Sequence, residues 1–463
     1  MVADLIVAGG DIVTMNPRRE VVVSGAVAIG GSEILAVGSA DALRRRFPGT
    51  PELDAHGCVI TPGMVNAHQH LTGDPLVRGW IPDDIPSGRA LTEWILPVHA
   101  AHRGGDDELA ATLTAVESVR NGVTTVVEAG TVADPLRAAA GLRAVGVRAA
   151  IGTWGWDLGD GPFAGPVDAV LDRQRQVLDD FPPGGLVTGW VTLVGHATAS
   201  DALLCGAAAL AAGRGTNLSL HMSPTSADTE AFLARAGCEP LVHLDRLGVL
   251  GPRLLVAHAV WMSDAEVDAV VRTRTALAYC PWAYLRLGQG VTQRGRHAEI
   301  VRRGGRVALG CDAANAGDQL DILRVAALAA GLARDGRADP TWFGAHDAFE
   351  LATIGGAEAI GMAALIGSVE VGKQADLVVH DGTAPAWTPR GDVALQLVWS
   401  ADGRTVRDVV VAGRVVVRAG RCVTVDEAAL RAEVTAAAGA LRARAALPAG
   451  RRWPLVPAGT LDT

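Results

Sequence analysis

The sequence predicts an α/β fold: a closed (β/α)₈ barrel with a small composite β-sandwich made from both termini. Three observations carry that reading. Eight short apolar runs alternate with stretches of helical periodicity, β-rich texture recurs at the two ends of the chain, and metal-competent side chains fall at the tips of five of the eight runs.

The runs are 59–67, 123–129, 148–153, 187–194, 217–220, 254–257, 276–279 and 306–310. Between them, segments such as 107–120, 201–213, 264–272 and 345–361 are amphipathic or Ala-rich, and most begin near an Asp or Ser able to cap a helix. Alternation alone also fits a doubly wound open sheet. The first sixty residues read as short strands at 4–8, 13–15, 21–29 and 34–37 with little helical pattern, and 375–380 and 406–417 repeat that texture. The expected division is 1–60 and 366–425 for the sandwich, 61–365 for the barrel and 426–463 for a C-terminal helix and tail. The Ala- and Arg-rich helix near 427–446 reads as a surface or subunit-contact element.

Bulk properties exclude several classes. At 463 residues the chain suits one large and one smaller domain, and no apolar run reaches the roughly 18 residues of a membrane span. Asp4 and Asp11 interrupt the N-terminal apolar pattern, which predicts no secretory leader and a cytoplasmic protein. Six cysteines without C-x-x-C spacing are expected to be reduced and buried. A net charge of −9 argues against nucleic acid, leaving a small-molecule substrate and a homo-oligomer, a dimer being favoured.

His68 and His70 stand one residue apart, so in extended backbone both imidazoles project to one side and can grip one ion. His221 and Asp312 complete three neutral nitrogens and a carboxylate, a set that suits Zn²⁺ and also accepts Fe²⁺. A lone histidine at a strand end is more often a polar edge residue. Here His196 and His258 end two further runs, and a barrel brings all such tips to one mouth, where catalytic residues of this architecture sit.

The stretch Thr61-Pro62-Gly63-Met64-Val65-Asn66-Ala67-His68-Gln69-His70-Leu71 resembles the opening motif of the amidohydrolase superfamily. Ala257-His258-Ala259-Val260-Trp261, Cys280-Pro281, Gly310-Cys311-Asp312 and the tail from Gly367 through Lys373-Gln374-Ala375-Asp376 to Val379 match in order. The resemblance covers nearly the whole chain. It is strongest to the mononuclear branch containing guanine, cytosine and S-adenosylhomocysteine deaminases and the triazine chlorohydrolases. Two-metal relatives often bridge their ions through a carboxylated barrel lysine; Lys373 is the only lysine and lies in the C-terminal return, so one metal is expected.

A zinc with an open position lowers the pKa of water from about 15.7 toward roughly 7. Asp312 and His258 are the expected catalytic residues, Asp312 accepting the proton and His258 hydrogen-bonding the water or the developing oxyanion. By resemblance to nucleoside-type deaminases, His196 is expected to touch substrate.

One departure stands out. These relatives usually read H-x-x-E after the fifth strand, the glutamate donating a proton, whereas this chain reads His221-Met222-Ser223-Pro224. General acids contribute about 10² to 10⁴-fold. Either another acid substitutes, with Glu128 or His258 nearest by topology, or the substrate needs no ring protonation, or the chain binds without turnover.

Eleven tryptophans against two tyrosines suggest a flat substrate, and Trp94, Trp156 and Trp282 are the candidate walls, with Glu128 and His196 as further binding residues. Arg78, Arg89 or Arg286 could meet an anionic group. The expected function is hydrolysis of a C–N bond in a small cyclic or heteroaromatic compound, by deamination or by amide or lactam cleavage. The alternatives are dechlorination of a triazine-like ring and a non-hydrolytic homologue.

Overall fold

In the computed structural model the described residues are 2–448 with Trp453, Leu455 and Val456; the rest of the expected C-terminal tail lies outside them. Eight parallel staves form the barrel: Met64–Gln69, Val123–Glu128, Arg148–Ile151, Val187–Gly189 continued by Val191–Gly195, Leu218–Met222, Leu254–His258, Ala276–Tyr279 and Arg306–Leu309. The fourth is broken at Trp190, whose amide bonds the third stave while Val191 bonds toward the fifth. The eighth returns to the first through the amides of Cys311 and Asp312, which both donate to the carbonyl of His68. Almost every strand residue is buried because helices cover the outside, the condition under which parallel sheets are stable. Small residues such as Ala67, Ala150, Ala257, Ala278 and Ala308 fill the interior with Val65, Val127 and Leu255. The alternate residues Val126, Ala149, Val256, Leu277 and Val307 join the larger core under the helices.

The run 59–67 is not one strand. Val59–Pro62 belongs to the terminal sheet and Met64–Gln69 to the barrel, so the expected boundary at 60/61 falls inside a strand. Gly63 makes the joint, since a Cβ there would stand 2.0 Å from Thr124 Oγ1. The predicted helix 345–361 divides at Thr353 into Ala345–Ala352 and Ile354–Ala359. The first sixty residues do hold a helix, Ala40–Arg46, capped by Ser39; seven residues are too few for a clear periodicity. The separate strand expected at 13–15 is the end of Leu5–Val13, which is irregular around Gly10.

Strands from both ends form one nine-stranded sheet, so the two layers expected of a sandwich are a single hydrogen-bonded sheet. The edge of Glu33–Ser39 bonds to the segment leading into Leu377–His380, through Ile34 to Lys373 and Ala375 to Ser32, which curls the sheet around Val7, Val27, Ile60, Leu377 and Val410. Its other face splits: Ile6, Ala8, Ala26 and Ala28 pack on Leu43 and Phe47, whereas Val378 and Val409 join the barrel core. Arg148 of the third stave meets Asp376 in a buried bidentate pair, Nε to Oδ2 3.0 Å and Nη2 to Oδ1 3.1 Å.

The segment after the first stave forms the short helices Asp74–Val77, Ser87–Ala90 and Leu96–Ala101, with a π turn at Leu91–Ile95. Helix Glu427–Arg444 docks on it, burying Leu441 against Leu76, Val77, Val98 and Ala110. That helix was expected as a surface or subunit-contact element, and one side of it is also an internal contact. No helix among the described residues is long and apolar enough to cross a membrane.

Candidate metal centre

The four ligands expected from sequence converge at the C-terminal mouth of the barrel, and His258 joins them. Asp312 Oδ1 lies 3.3 Å from His70 Nε2 and 3.7 Å from His68 Nε2. His221 Nε2 is 3.4 Å from His70 Nε2, and His258 Nδ1 is 4.0 Å from Asp312 Oδ2. Donor atoms of His68, His70 and His221 all lie within 4.8 Å of one another, as do those of His68, His258 and Asp312.

Both ring nitrogens of His68 are buried without a hydrogen-bond partner, as is Nδ1 of His258. Buried polar atoms are normally satisfied, so this cluster fits a cation. The outward nitrogens are already held: His70 Nδ1 lies 3.0 Å from Thr131 Oγ1, and His221 Nδ1 lies 2.8 Å from the Val194 carbonyl. Such contacts aim Nε2 at the ion and fix the tautomer. Burial pushes His68 and His221 well below the usual imidazole range, which keeps them neutral and able to ligate. Burial also works against an ionised Asp312, but the hydrogen bond to His70 and the neighbouring imidazoles hold that carboxyl well below its ordinary value.

Three non-glycine residues at these tips have left-handed backbone: His196 at φ 53°, His258 at 77° and Asp312 at 65°. Such conformations cost about 1–3 kcal/mol each and cluster at functional sites. They turn the side chains in over the mouth. Gly310 permits the close approach of the eighth stave, because a Cβ there would lie 2.7 Å from Cys280 Sγ and 3.0 Å from His68 Cβ.

His196 stacks beside His221 with ring centroids 5.6 Å apart and places Nδ1 2.7 Å from Asp228 Oδ2. Asp228 also accepts from the Ser223 amide. Burial disfavours the His196 cation, yet the charge and hydrogen bond of Asp228 raise its pKa overall. Asp228 sits in helix Ser226–Ala236 after the fifth stave, immediately beyond Pro224.

Glu128, expected at the mouth, spends its oxygens on the loop after its own stave. Its two oxygens accept from the Gly130 and Thr131 amides and from the Thr131 hydroxyl, the same hydroxyl that meets His70. Its carboxylate shapes the loop behind a ligand. Arg78, Arg89 and Arg286 are also committed, to Glu117, Glu93 and Asp318 respectively. Trp94 is buried with Ile81 and Ala90, Trp156 packs beside Trp154 at 6.0 Å between centroids, and Trp282 lies against the barrel core under Arg324. Trp156 and Trp282 each keep a buried indole N–H without a partner.

Several supporting residues escaped the sequence reading. Thr131, Asp228 and His297 carried no motif of their own; His297 places Nε2 2.7 Å from the His258 carbonyl. Asn66 lay within the quoted motif, and its role becomes visible only in space: its Oδ1 accepts from the amides of His68 and Cys311, tying the first stave to the eighth.

The family model described as the amidohydrolase family matches residues 59–416. The chain belongs to the amidohydrolase family. A short N-terminal match, residues 25–49, is to the bacterial imidazolonepropionase-like composite domain. This amidohydrolase is 32% identical over 426 residues to the 5-methylthioadenosine/S-adenosylhomocysteine deaminase of Syntrophobacter fumaroxidans, covering 92% of this chain and 95% of that protein. Among solved structures, the zinc-bound adenosine deaminase of Xanthomonas campestris superposes with a TM-score of 0.90 at 30% identity, covering 95% of this chain and 99% of that one. The zinc complex of atrazine chlorohydrolase TrzN from Arthrobacter aurescens gives a TM-score of 0.86 at 24% identity, with 94% and 100% coverage, a likeness of fold. The amidohydrolase is an enzyme of hydrolytic C–N cleavage outside peptide bonds, on the (β/α)₈ barrel expected from sequence.

Proposed function

We propose that this amidohydrolase is a zinc-dependent deaminase of an aminated heteroaromatic ring, with adenosine-type nucleosides as the first class of substrate. The observation that carries the reading is the convergence of His68, His70, His221 and Asp312 beside His258. The names of its relatives support the substrate class.

An ion held by those four side chains would supply Lewis acidity and acidify water. Asp312, kept ionised by the surrounding imidazoles, takes a proton from the attacking water. His258, lowered by burial to about 4 and therefore neutral, hydrogen-bonds the oxygen that gains charge. His196, oriented and charged by Asp228, delivers a proton to the ring nitrogen or leaving amine, the task of the glutamate that Pro224 replaces. Trp156 keeps an unpartnered indole N–H that a substrate could meet and Trp94 stiffens the cover over the mouth, whereas Trp282 lines an outer cleft with Arg324 and Trp399.

Pro224 favours a second reading. A good leaving group such as chloride on a triazine needs no protonation, so Asp312 alone would suffice. Amide or lactam hydrolysis needs no ring protonation, and there Asp312 would return the proton taken from water to the departing nitrogen. Incubating the zinc-loaded enzyme with adenosine, methylthioadenosine and S-adenosylhomocysteine should release ammonia. Chloride release from chlorotriazines, or acid from lactams, with no ammonia from any amino-heteroaromatic would overturn the deaminase reading.

The placement of the chain in the cytoplasm is supported by six cysteines without a disulfide, and a homodimer by the partly exposed helix Glu427–Arg444. The barrel, proposed as running from the joint at Gly63 to about residue 365, carries all of the chemistry.

A further inference from the structure

A cleft of about 670 Å³ lies on the flank of the barrel, between the segments after the sixth and seventh staves and helix Ile322–Asp335. That volume is in the range of small-molecule sites, about 300–1,000 Å³. His297 forms part of its wall and is 2% exposed. The ring is fixed on both sides: it stacks on Tyr279 at 4.0 Å between centroids, and Nε2 donates to the carbonyl of His258 at 2.7 Å. Nδ1 has no partner. Burial brings His297 down to about 4, so the ring is neutral and Nδ1, opposite the donating nitrogen, carries a lone pair.

The rim is cationic and aromatic. Arg296 is tied to Glu299 and Asp264, whereas Arg294, which lies over Trp261, and Arg337, whose charge acts on Asp339, line the cleft without a close ion pair among the described residues. The Arg337 Cζ lies over Trp342 at 3.8 Å from the ring centroid, a contact that holds a guanidinium ready to fork a carboxylate. The rings of Tyr279, Trp342 and Phe343, the unpartnered acceptor of His297 in the wall and the two guanidiniums over Trp261 and Trp342 define a ligand by chemistry.

We propose that this cleft is a second small-molecule site, separate from the metal centre, which takes an aromatic carboxylate bearing a hydroxyl or amino donor. The carboxylate meets Arg294 and Arg337, and the donor reaches His297 Nδ1. Through the His297 bond to the His258 carbonyl, occupancy also bears on the backbone of a residue at the metal centre.

The test is calorimetric titration of the full-length protein with benzoate, 4-hydroxybenzoate and 4-aminobenzoate. The substituted acids should bind more tightly than benzoate, and the double variant Arg294→Gln/Arg337→Gln should weaken them by roughly tenfold or more, the scale of one lost charge-assisted hydrogen bond. Both arginines are exposed, so the variant should melt like the parent. Binding should persist in His70→Asn, which separates this cleft from the metal centre. Absence of binding by all three acids up to about 10 mM, binding undiminished in the arginine variant, or binding lost in His70→Asn would each overturn the proposal.

Discussion

His196 Nδ1 and Asp228 Oδ2 lie 2.7 Å apart, joining the tip of the fourth stave to the helix that follows the fifth. Asp228 lies just beyond Pro224, the position at which the H-x-x-E pattern expected from the resemblance has its glutamate. If the pair supplies the missing proton, Asp228→Asn should lower kcat by about 10²-fold or more while leaving metal content unchanged, since general acids contribute about 10² to 10⁴-fold. Steady-state ammonia release with metal analysis on the same sample checks this. An unchanged kcat would return the proton transfer to Asp312.

Glu128 gives a contrasting prediction. Its hydrogen bonds reach His70 through Thr131, and its charge also acts on that ring, so Glu128→Gln should weaken metal binding by about 10- to 100-fold, the usual effect of losing an outer-shell partner. Excess zinc should restore turnover. Activity lost at saturating metal would mean that the carboxyl takes part in proton transfer.

Much of the centre was legible because its ligands sit at strand ends, where an apolar run stops abruptly at a histidine or aspartate. His68-x-His70 and Gly310-Cys311-Asp312 need no long-range information to be noticed. Asp228 was hidden for the opposite reason: it lies in an ordinary helix, and only the left-handed turn at His196 brings the two together. The loop contacts of Glu128 were not legible, because its partners are the backbone amides of Gly130 and Thr131, which carry no sequence signal. At the domain level, the run 59–67 concealed a change of sheet because both strands are wholly buried and the run stays mostly apolar across them, leaving Gly63 as the mark of the joint.

The Arg148–Asp376 pair fastens barrel to terminal sheet in a buried setting, and Asp376 also accepts from the Ala412 amide. Removing one partner strands a buried charge. Asp376→Ala should therefore cost about 3–5 kcal/mol in stability, measured by urea unfolding. A loss below about 1 kcal/mol, the size of an exposed pair, would contradict the account.

His380 is fully buried in the terminal sheet between Thr61 and Thr405, and burial lowers it to about 3. The unfolded chain takes up this proton near the ordinary imidazole value of about 6.5, the folded one only near 3, so the unfolded state binds more protons in between. Stability is complete above about 6.5 and falls as pH drops toward 3. Melting between pH 7 and 4 should show a shallower decline for His380→Asn than for the parent; parallel declines would remove His380 as the cause.

The central claim is one ion shared by four side chains. Elemental analysis of the purified parent beside His68→Asn, His221→Asn and Asp312→Asn reads it directly. The account predicts close to one equivalent of zinc in the parent and little in each variant, with folding retained. A parent that holds no transition metal even after zinc is supplied, or variants that keep a full equivalent, would contradict it.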